Sequence, residues 1–369
     1  GGFFMVKAVI IGFAHMHVNE IALYIHEAQG IDLVAAADVL PEIAEISPAR
    51  YTREWNKENV RKNYCDNIYD SYEEMLDKEK PDIAFILCAN VNKPRIVEAC
   101  ARRGVSVSIE KPIAVNFEEA KKIEETVKKY NIEAIVNWPV IWRGYMLDMI
   151  NAYKSGIVGK LKKLYYINGH TGPLGAGAKH RGVSETAEEM TDEARKRTWW
   201  YQKKMGGGAF LDILCYGCMY SALLQTDEPL GVMAYGANLN TPYSDAEDNV
   251  TAIIRYPETV TVAEGTWTAP QKVLPAGPVI IGEKGVIYTV RKEGGADVLS
   301  VDMYGNPIEV KTSPLPDNMK NIAEHYMHSK RTGEPLTREV TLEQNMKVMA
   351  LLDAAIRSGE SHKEESVKK

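Results

Sequence analysis

Residues 6–19 read VKAVIIGFAHMHVN, and this stretch decides the class of fold. Its first six residues are mostly apolar and rich in β-branched side chains, as in a strand that is buried on both faces of a parallel sheet. Gly12 ends the strand, and the apolar residues of 19–28 then recur at helical spacing. A strand, a glycine turn and a helix in this order predict the start of a βαβ unit.

The same alternation of strand and helix patterns continues to about residue 137. Further apolar strand patterns occupy 31–38, 82–89 and 106–110, and helical patterns occupy 94–103 and 117–130. The second half differs, because its strand patterns alternate polar with apolar residues, which is typical of an antiparallel sheet. These patterns lie at 162–168, 231–238, 249–256, 260–268, 279–282, 285–290 and 298–303, followed by helical patterns at 319–330 and 342–358.

Composition narrows the class of protein. A length of 369 residues suggests about two domains. Apolar residues make up 45% of the chain and charged residues 25%, which excludes a mainly disordered protein. The net charge of −6 lacks the basic balance of a nucleic-acid binder. No run of about 18 apolar residues predicts a membrane span, so we expect a cytoplasmic protein with a small-molecule partner.

The five cysteines are scattered along the chain. Cys215 and Cys218 form a single CxxC motif, which lacks the two further ligands of a zinc site. We therefore predict reduced thiols and no bound metal.

The turn at 12–17 resembles a dinucleotide-binding fingerprint only in part. The fingerprint Gly-x-Gly-x-x-Gly retains Gly12, whereas Ala14 and His17 occupy its second and third glycine positions. Ala14 is still small enough to admit a phosphate near the N-terminus of the helix, so we predict cofactor contacts from Gly12, Phe13, Ala14 and His15. On these residues alone, an ordinary strand–turn–helix of an α/β protein remains the alternative.

Asp38 ends the second strand pattern, where a dinucleotide fold needs an acid for the adenosine ribose hydroxyls. The residues that follow it, Val-Leu-Pro-Glu, offer no arginine for a 2′-phosphate, which favours NAD over NADP. The alternative is an acidic turn or helix cap.

Two further motifs carry polar groups suited to proton chemistry. Glu110-Lys111-Pro112 follows an apolar strand directly, and a lysine there points into the crevice where α/β proteins bind ligands. Residues 206–216 read GGGAFLDILCY, and a helix after the glycines puts Asp212 and Tyr216 on one face. A carboxylate and a phenol that face a lysine form a plausible group for proton transfer.

Together these motifs, from residue 6 to about 358, resemble the Gfo/Idh/MocA oxidoreductases. The resemblance implies a nicotinamide cofactor, with Lys111 as the catalytic lysine and Asp212 as the substrate-site aspartate. It also implies cofactor contacts from Asn90, Lys93, Glu110 and Lys111, and a substrate pocket lined by tryptophan. Trp199 and Trp200 occupy the matching stretch, although paired tryptophans are often core residues. Family members also form dimers or tetramers, so a homo-oligomer is expected.

The family often places an acid/base histidine where this chain has Tyr216. A phenol has a pKa near 10, so Tyr216 is a poor base unless Lys111 lowers that pKa. His170, at the end of the first strand of the second half, is the best replacement candidate, and His180 is the second. Each histidine could instead be a satisfied strand-end or loop residue.

We therefore predict an α/β protein with a Rossmann-type parallel-sheet domain over 5–137. We expect an α+β domain with a large, mostly antiparallel open sheet over 138–358, and a frayed tail over 359–369. The predicted function is an NAD-dependent oxidoreductase that acts on a hydroxyl carbon of a sugar, glycoside or polyol. Two alternatives are a glycoside-cleaving enzyme that keeps NAD bound for transient oxidation, and a ligand-sensing regulator without catalysis.

Overall fold

The computed structural model describes residues 5–270 and 273–369. Its first sheet has six parallel strands in the order β3-β2-β1-β4-β5-β6. The strand order reverses between β1 and β4, because β2 and β3 lie on one side of β1 and β4 to β6 lie on the other. The crevice for a ligand therefore lies at the carboxyl ends of β1 and β4. The strands are β1 Val6–Ile11, β2 Ile31–Ala37, β3 Ile68–Tyr69, β4 Ile83–Ile86, β5 Ser106–Glu110 and β6 Ala134–Asn137.

The predicted parallel sheet is therefore confirmed, with helices on its two faces. The ten helices among the described residues are α1 Val18–Glu27, α2 Arg53–Asn63, α3 Tyr72–Glu79, α4 Lys93–Ala101, α5 Phe117–Tyr130, α6 Gly144–Lys154, α7 Asp192–Lys196, α8 Cys215–Leu224, α9 Ile322–Thr332 and α10 Leu342–Ser361. The sequence patterns did not predict α2, α3 and α6.

The second sheet has eight strands in the order β14-β13-β12-β11-β7-β10-β9-β8. Only the β7–β10 pair is parallel, and the other pairs of the described sheet are antiparallel, as predicted. One face packs on α8 and α10, and residues of the opposite face are exposed. The strands are β7 Leu161–Gly169, β8 Gly231–Ala237, β9 Asn249–Arg255, β10 Val260–Thr266, β11 Val279–Gly282, β12 Gly285–Lys292, β13 Gly295–Asp302 and β14 Pro307–Ile308.

The long polar stretch 171–204 is partly helical and covers the carboxyl edge of the first sheet. Gly182 lies against the first turn of α1, where a β-carbon would come within 2.7 Å of the Asn19 carbonyl oxygen. Tyr51 donates a hydrogen bond to the Glu185 carbonyl at 2.7 Å. This segment therefore forms one wall of the space above the sheet.

The chain from Lys203 to Leu224 has the length and hydropathy of a membrane span. It is 94% buried inside the fold, and it changes from short 3₁₀ turns to a π-helical turn at Phe210–Leu214 before α8 begins. Its apolar character is thus accounted for by the protein core.

The last residues differ from the predicted frayed tail, because the chain after α10 is tied to the second sheet. Val232 and Glu365 exchange two backbone hydrogen bonds of 2.9 Å. Arg357 also binds the Glu365 carboxylate at 2.6 Å. The polar composition of 359–369 concealed these contacts, since they use backbone and charged groups rather than apolar ones.

Candidate active site

A cleft of about 1070 Å³ opens between the carboxyl edge of the first sheet and the second domain. Lys111 enters it from the end of β5, and Asp212 enters it from the π-helical turn before α8. π-Helical turns occur frequently at functional sites, because the extra residue re-aims neighbouring side chains. His170 reaches the same cleft from the end of β7, so three predicted site residues from three distant segments meet there.

The Asp212 carboxylate is the centre of this group. Its Oδ1 lies 3.3 Å from Lys111 Nζ, and its Oδ2 lies 3.2 Å from His170 Nε2. Trp267 donates its indole N–H to the same Oδ2 at 2.9 Å. Lys111 also donates to the Asp212 backbone carbonyl at 2.5 Å. Both partners of the ion pair are therefore fixed in position before any ligand binds.

These contacts keep both groups charged. Burial raises the pKa of Asp212, but the ammonium of Lys111 and the hydrogen bond from His170 outweigh it, so the net pKa lies well below its usual range. Burial disfavours the charged form of Lys111, yet the negative groups around it, Asp212 among them, leave its pKa above the ordinary value. Lys111 is thus a cation at neutral pH and not a base.

Tyr216 lines the cleft, and Lys111 does not lower the pKa of its phenol there. Burial raises the pKa of the Tyr216 phenol well above 10, and the nearby Cys215 and Glu110 add to this shift. Lys111 Nζ lies 4.5 Å from the centre of the ring and not at the hydroxyl. Tyr216 therefore stays protonated and can only donate a hydrogen bond.

Both nitrogens of His170 are in use. Its Nδ1 accepts the backbone N–H of Gly172 at 3.0 Å, so in the neutral ring the proton resides on Nε2, which faces Asp212. His170 is thus arranged to hold Asp212. His180 also lines the cleft, where its Nε2 binds the Pro173 carbonyl at 3.1 Å and burial lowers its pKa to about 3.

The turn after β1 fits the pyrophosphate of a dinucleotide. Gly12 has φ +93°, and a β-carbon there would come within 3.0 Å of Cys88 at the end of β4. Within the described chain, the backbone N–H groups of Phe13, Ala14 and Met16 make no hydrogen bond. Unpaired N–H groups beside a helix N-terminus form a binding site for an anion, so the missing glycines have not removed it.

Asp38 lies at the end of β2, as a ribose-binding acid should, but it is not isolated from cations. Arg53 and Lys57, both on α2, bind its Oδ2, the lysine at 3.1 Å. The reasoning that no arginine is available near Asp38 is therefore wrong, because the arginine comes from a helix 15 residues further along the chain.

The remaining predicted cofactor and substrate residues are largely engaged within the protein. Asn90 donates to the Gly206 carbonyl at 2.8 Å. Lys93 is fully buried, and its ammonium donates at 2.6 Å to the Asn90 side-chain oxygen and to the backbone carbonyls of Glu110 and Pro112. Trp200 lines the cleft, whereas Trp199 donates to the Ala14 carbonyl at 2.9 Å and covers the turn. The cofactor contacts of Asn90 and Lys93 stay predictions.

One residue of the cleft was missed as a functional candidate. His17 Nδ1 lies 3.0 Å from a Glu110 carboxylate oxygen, and Glu110 is held in turn by Asn137 at 2.8 Å. Among the described residues, His17 Nε2 has no hydrogen-bond partner, and the ring faces the cleft. Burial lowers the pKa of His17, but the negative charge of Glu110 more than offsets this, and the net pKa is raised. The two histidines at positions 15 and 17, close together in the turn, were the sequence signal that could have identified this residue.

His15, His17 and Glu110 bring their ligand atoms within 4.8 Å of one another, a spacing compatible with a metal ion. However, His15 Nδ1 already accepts the backbone N–H of His17 at 3.2 Å. Lys93 and Lys111 also add positive charge beside it. The group is better suited to hydrogen bonding than to a cation.

Comparison with known proteins agrees with this geometry. A family model described as the NAD-binding Rossmann fold of the oxidoreductase family GFO_IDH_MocA matches residues 6–137, and its C-terminal domain model matches 177–288. A trans-1,2-dihydrobenzene-1,2-diol dehydrogenase of Xenopus tropicalis is 23% identical over 341 residues, covering 88% of this chain and 93% of the relative.

Two solved structures share the fold along nearly the whole chain. The aldose–aldose oxidoreductase of Caulobacter crescentus has a TM-score of 0.75 at 16% identity, covering 98% of this chain and 100% of its own. The WlbA dehydrogenase of Bordetella pertussis, solved with NADH and UDP-GlcNAcA, has a TM-score of 0.71 at 17% identity, covering 99% of both chains. The chain belongs to the Gfo/Idh/MocA family of NAD-binding oxidoreductases.

Proposed function

We propose that this protein is an NAD-dependent dehydrogenase that oxidises a hydroxyl carbon of a sugar, glycoside or polyol. The observation that carries the proposal is the buried Lys111–Asp212 pair, 3.3 Å apart, at the floor of a cleft beside the dinucleotide turn. The similar proteins named above are dehydrogenases and oxidoreductases. One is named for aldoses and another was solved with a sugar nucleotide, which supports this substrate class.

NAD bound along the carboxyl edge would supply the hydride acceptor, the nicotinamide ring. The turn at Gly12–Met16 would hold its pyrophosphate through unpaired N–H groups, and Asp38 would bind the adenosine ribose. Glu110, at the end of β5, would face the nicotinamide end. Every group in this assignment belongs to the first domain.

The residues of the cleft divide the proton chemistry between them. Lys111 spends two of its three N–H donors on Asp212, and the third is free to stabilise the developing alkoxide of the substrate. Asp212 orients the substrate hydroxyl while His170 and Trp267 hold its carboxylate in place. Tyr216 donates a hydrogen bond, since its raised pKa prevents it from accepting a proton.

We infer that His17 is the general base. Glu110 holds the Nδ1 proton of His17, which leaves the Nε2 lone pair available on the cleft side. His170 is the weaker candidate, because its Nδ1 is occupied by Gly172 and its Nε2 proton faces Asp212.

The test is NADH formation, followed by absorbance, with a panel of aldoses, glycosides and polyols. Asp212→Asn keeps the shape of the side chain and removes its charge, so the rate should fall by about a hundredfold or more while NADH binding is retained. Tight NADH binding without reduction of NAD by any member of the panel would favour the ligand-sensing regulator instead.

One observation keeps the glycoside-cleaving alternative open. The predicted cofactor residues Asp38 and Asn90 are both buried, so a dinucleotide that contacts them would be enclosed and would exchange slowly. Cleavage of a glycoside without net NADH formation, by protein that carries NAD through purification, would favour this alternative.

We also propose a homo-oligomer that forms through the exposed face of the second sheet. Apolar residues at directly paired positions cross four strands, from Met233 on β8 to Ile253, Val262 and Tyr165 on β9, β10 and β7. Met233 and Ile253 are 43% and 45% exposed, which is unusual for a continuous stripe on a monomer. Light scattering should show a dimer or tetramer, and Ile253→Lys should shift it towards the monomer, whereas a monomeric parent protein at micromolar concentration would refute the proposal.

A further inference from the structure

Two arginines differ from every other arginine that the structure describes. The chain has 15 arginines, and all except Arg143 and Arg181 donate a side-chain hydrogen bond to another described residue. Neither of these two forms an ion pair within the described chain, and both line the same cleft as Lys111 and Asp212. Both residues are exposed, so their guanidinium groups are accessible to a ligand in the cleft.

The two side chains converge on one region from different parts of the fold. Arg143 follows β6 at the start of α6, and Arg181 comes from the covering segment and lies 5.1 Å above the ring of Tyr24. Burial raises the pKa values of Glu20 and Tyr24, whereas the positive charges of the two arginines lower both values. Both guanidinium groups therefore lie near the first turns of α1.

Among the described residues, Glu20 forms no hydrogen bond or ion pair with either arginine. Its Oε1 is buried and has no hydrogen-bond partner among the described residues, although both arginines are close enough to influence it. The carboxylate thus places negative charge nearby without saturating either guanidinium. It also offers an acceptor for a hydroxyl group of a ligand in the cleft.

The cleft as a whole is positive, although the chain is negative. Its lining contains six lysines and arginines against three aspartates and glutamates, whereas the net charge of the chain is −6. Lys179 lies on the same wall and is exposed, without an ion-pair partner in the described chain. A local excess of cations inside a concave site attracts and orients anionic ligands.

We propose that Arg143 and Arg181 bind an anionic group of the substrate, so that the enzyme acts on an acidic sugar such as a uronate, an aldonate or a sugar phosphate. This inference rests on the proposed dehydrogenase function. Carboxylate and phosphate share the oxygen geometry that a guanidinium binds with two parallel hydrogen bonds. Lys111 and Asp212 would then act on a hydroxyl carbon while the arginines hold the acidic end.

The position of Arg143 favours the substrate over the cofactor as the source of the anion. The turn suited to pyrophosphate lies between β1 and β4, and a dinucleotide runs from β2 towards β5 across it. Arg143 follows β6, the strand beyond β5, on the far side of Lys111. Arg143 is therefore placed past the nicotinamide end of that path, whereas Arg181 reaches the cleft from the covering segment beside α1.

The experiment compares acidic and neutral members of matched sugar pairs. Glucose, glucuronate and glucose 6-phosphate, together with the same sets in galacto and manno configuration, are oxidised by the parent, Arg143→Gln, Arg181→Gln and the double variant. Arg61→Gln, an exposed arginine on α2, is the control. Calorimetric titration of the same compounds into the NADH-bound protein gives a readout that does not need turnover.

We expect an acidic sugar to have a kcat/KM or affinity at least about tenfold above its neutral partner. The double variant should lose that advantage through KM, with kcat changed less than about threefold, and the neutral sugar and the control should be unaffected. The preferred acid, uronate or phosphate, identifies the anion. Added salt should weaken binding of the acid selectively.

Three results would overturn the proposal. Equal use or binding of acidic and neutral sugars would show that the arginines do not select charge. Parallel loss of both sugars in the double variant would indicate a structural role. A tenfold loss of NADH affinity with the preference for the acid retained would assign the pair to the cofactor. Failure of the proposed function is recognised separately, as binding of the acid without any NAD reduction.

Discussion

Replacement of Lys111 by methionine removes the ammonium and keeps the length of the side chain. In the parent protein Lys111 is 2% exposed and holds Asp212 through its carboxylate, at 3.3 Å, and through its backbone carbonyl, at 2.5 Å. The variant leaves a buried carboxylate whose remaining partners are His170 at 3.2 Å and Trp267 at 2.9 Å. Stability and catalysis should therefore both change, for separate reasons.

Loss of one partner from a buried ion pair costs about 3–5 kcal/mol when the remaining charge has no other partner. Asp212 keeps two hydrogen bonds, so we expect the free energy of unfolding to fall by the smaller amount of about 2–3 kcal/mol. Hydride transfer should slow by about a hundredfold or more, since the alkoxide loses its cation. NAD affinity should change by much less than tenfold, because no pyrophosphate or ribose contact is assigned to Lys111.

Urea unfolding measures the first effect, and single-turnover hydride transfer per folded molecule measures the second. A double-mutant cycle with Asp212→Asn should recover part of the lost stability but none of the rate, since it removes the unpaired charge and not the catalytic defect. Lys330→Met is the control, since it removes a lysine that is paired with Glu133 outside the cleft, and this variant should keep its rate. A Lys111→Met rate within about threefold of the parent would refute the catalytic role of Lys111.

Three further substitutions test other parts of the site. Asp38→Ser should release Arg53 for a 2′-phosphate, so NADP should gain affinity relative to NAD by about tenfold or more. An unchanged ratio of the two dissociation constants in nucleotide titrations would remove the assignment of Asp38. His17→Gln should abolish the rise in kcat/KM as pH increases through the raised pKa of His17, and persistence of that rise would point to another base. Gly182→Ala should lower the free energy of unfolding by about 1–3 kcal/mol more than Gly177→Ala. Both glycines have positive φ, but only at Gly182 would a β-carbon collide with neighbouring backbone. Equal losses in the two variants would show that this contact is unimportant.

The fold could be predicted where burial leaves a pattern in the sequence. The central strands β1, β4 and β5 are buried on both faces and appear as apolar runs, and β9 and β10 alternate because one face is exposed. Helix α2 has no such pattern, because nine of its eleven residues are charged or amide side chains. That failure had a consequence, since α2 carries Arg53 and Lys57, the two cations beside Asp38.

The site could be predicted where a residue type and a local motif coincide. Lys111 at a strand end and Asp212 after a glycine run are such cases, and the structure brings their side chains into contact. The pairing of His17 with Glu110 spans 93 residues and depends on the turn geometry, so position 17 appeared only as a missing glycine. Arg143 and Arg181 carried no motif, and only the cleft itself reveals that they lack partners.

The two departures of this chain from the family pattern lie in the same cleft. Tyr216 replaces the usual acid/base histidine on the second domain, and its buried phenol cannot accept a proton at neutral pH. His17 replaces a glycine of the dinucleotide turn on the first domain, where Glu110 binds its Nδ1 and no residue within 5–270 or 273–369 binds its Nε2. Under the proposed function, His17 supplies the base that position 216 lacks. We infer that the two departures belong together, and that the base has moved from one domain to the other while Lys111 and Asp212 kept their places.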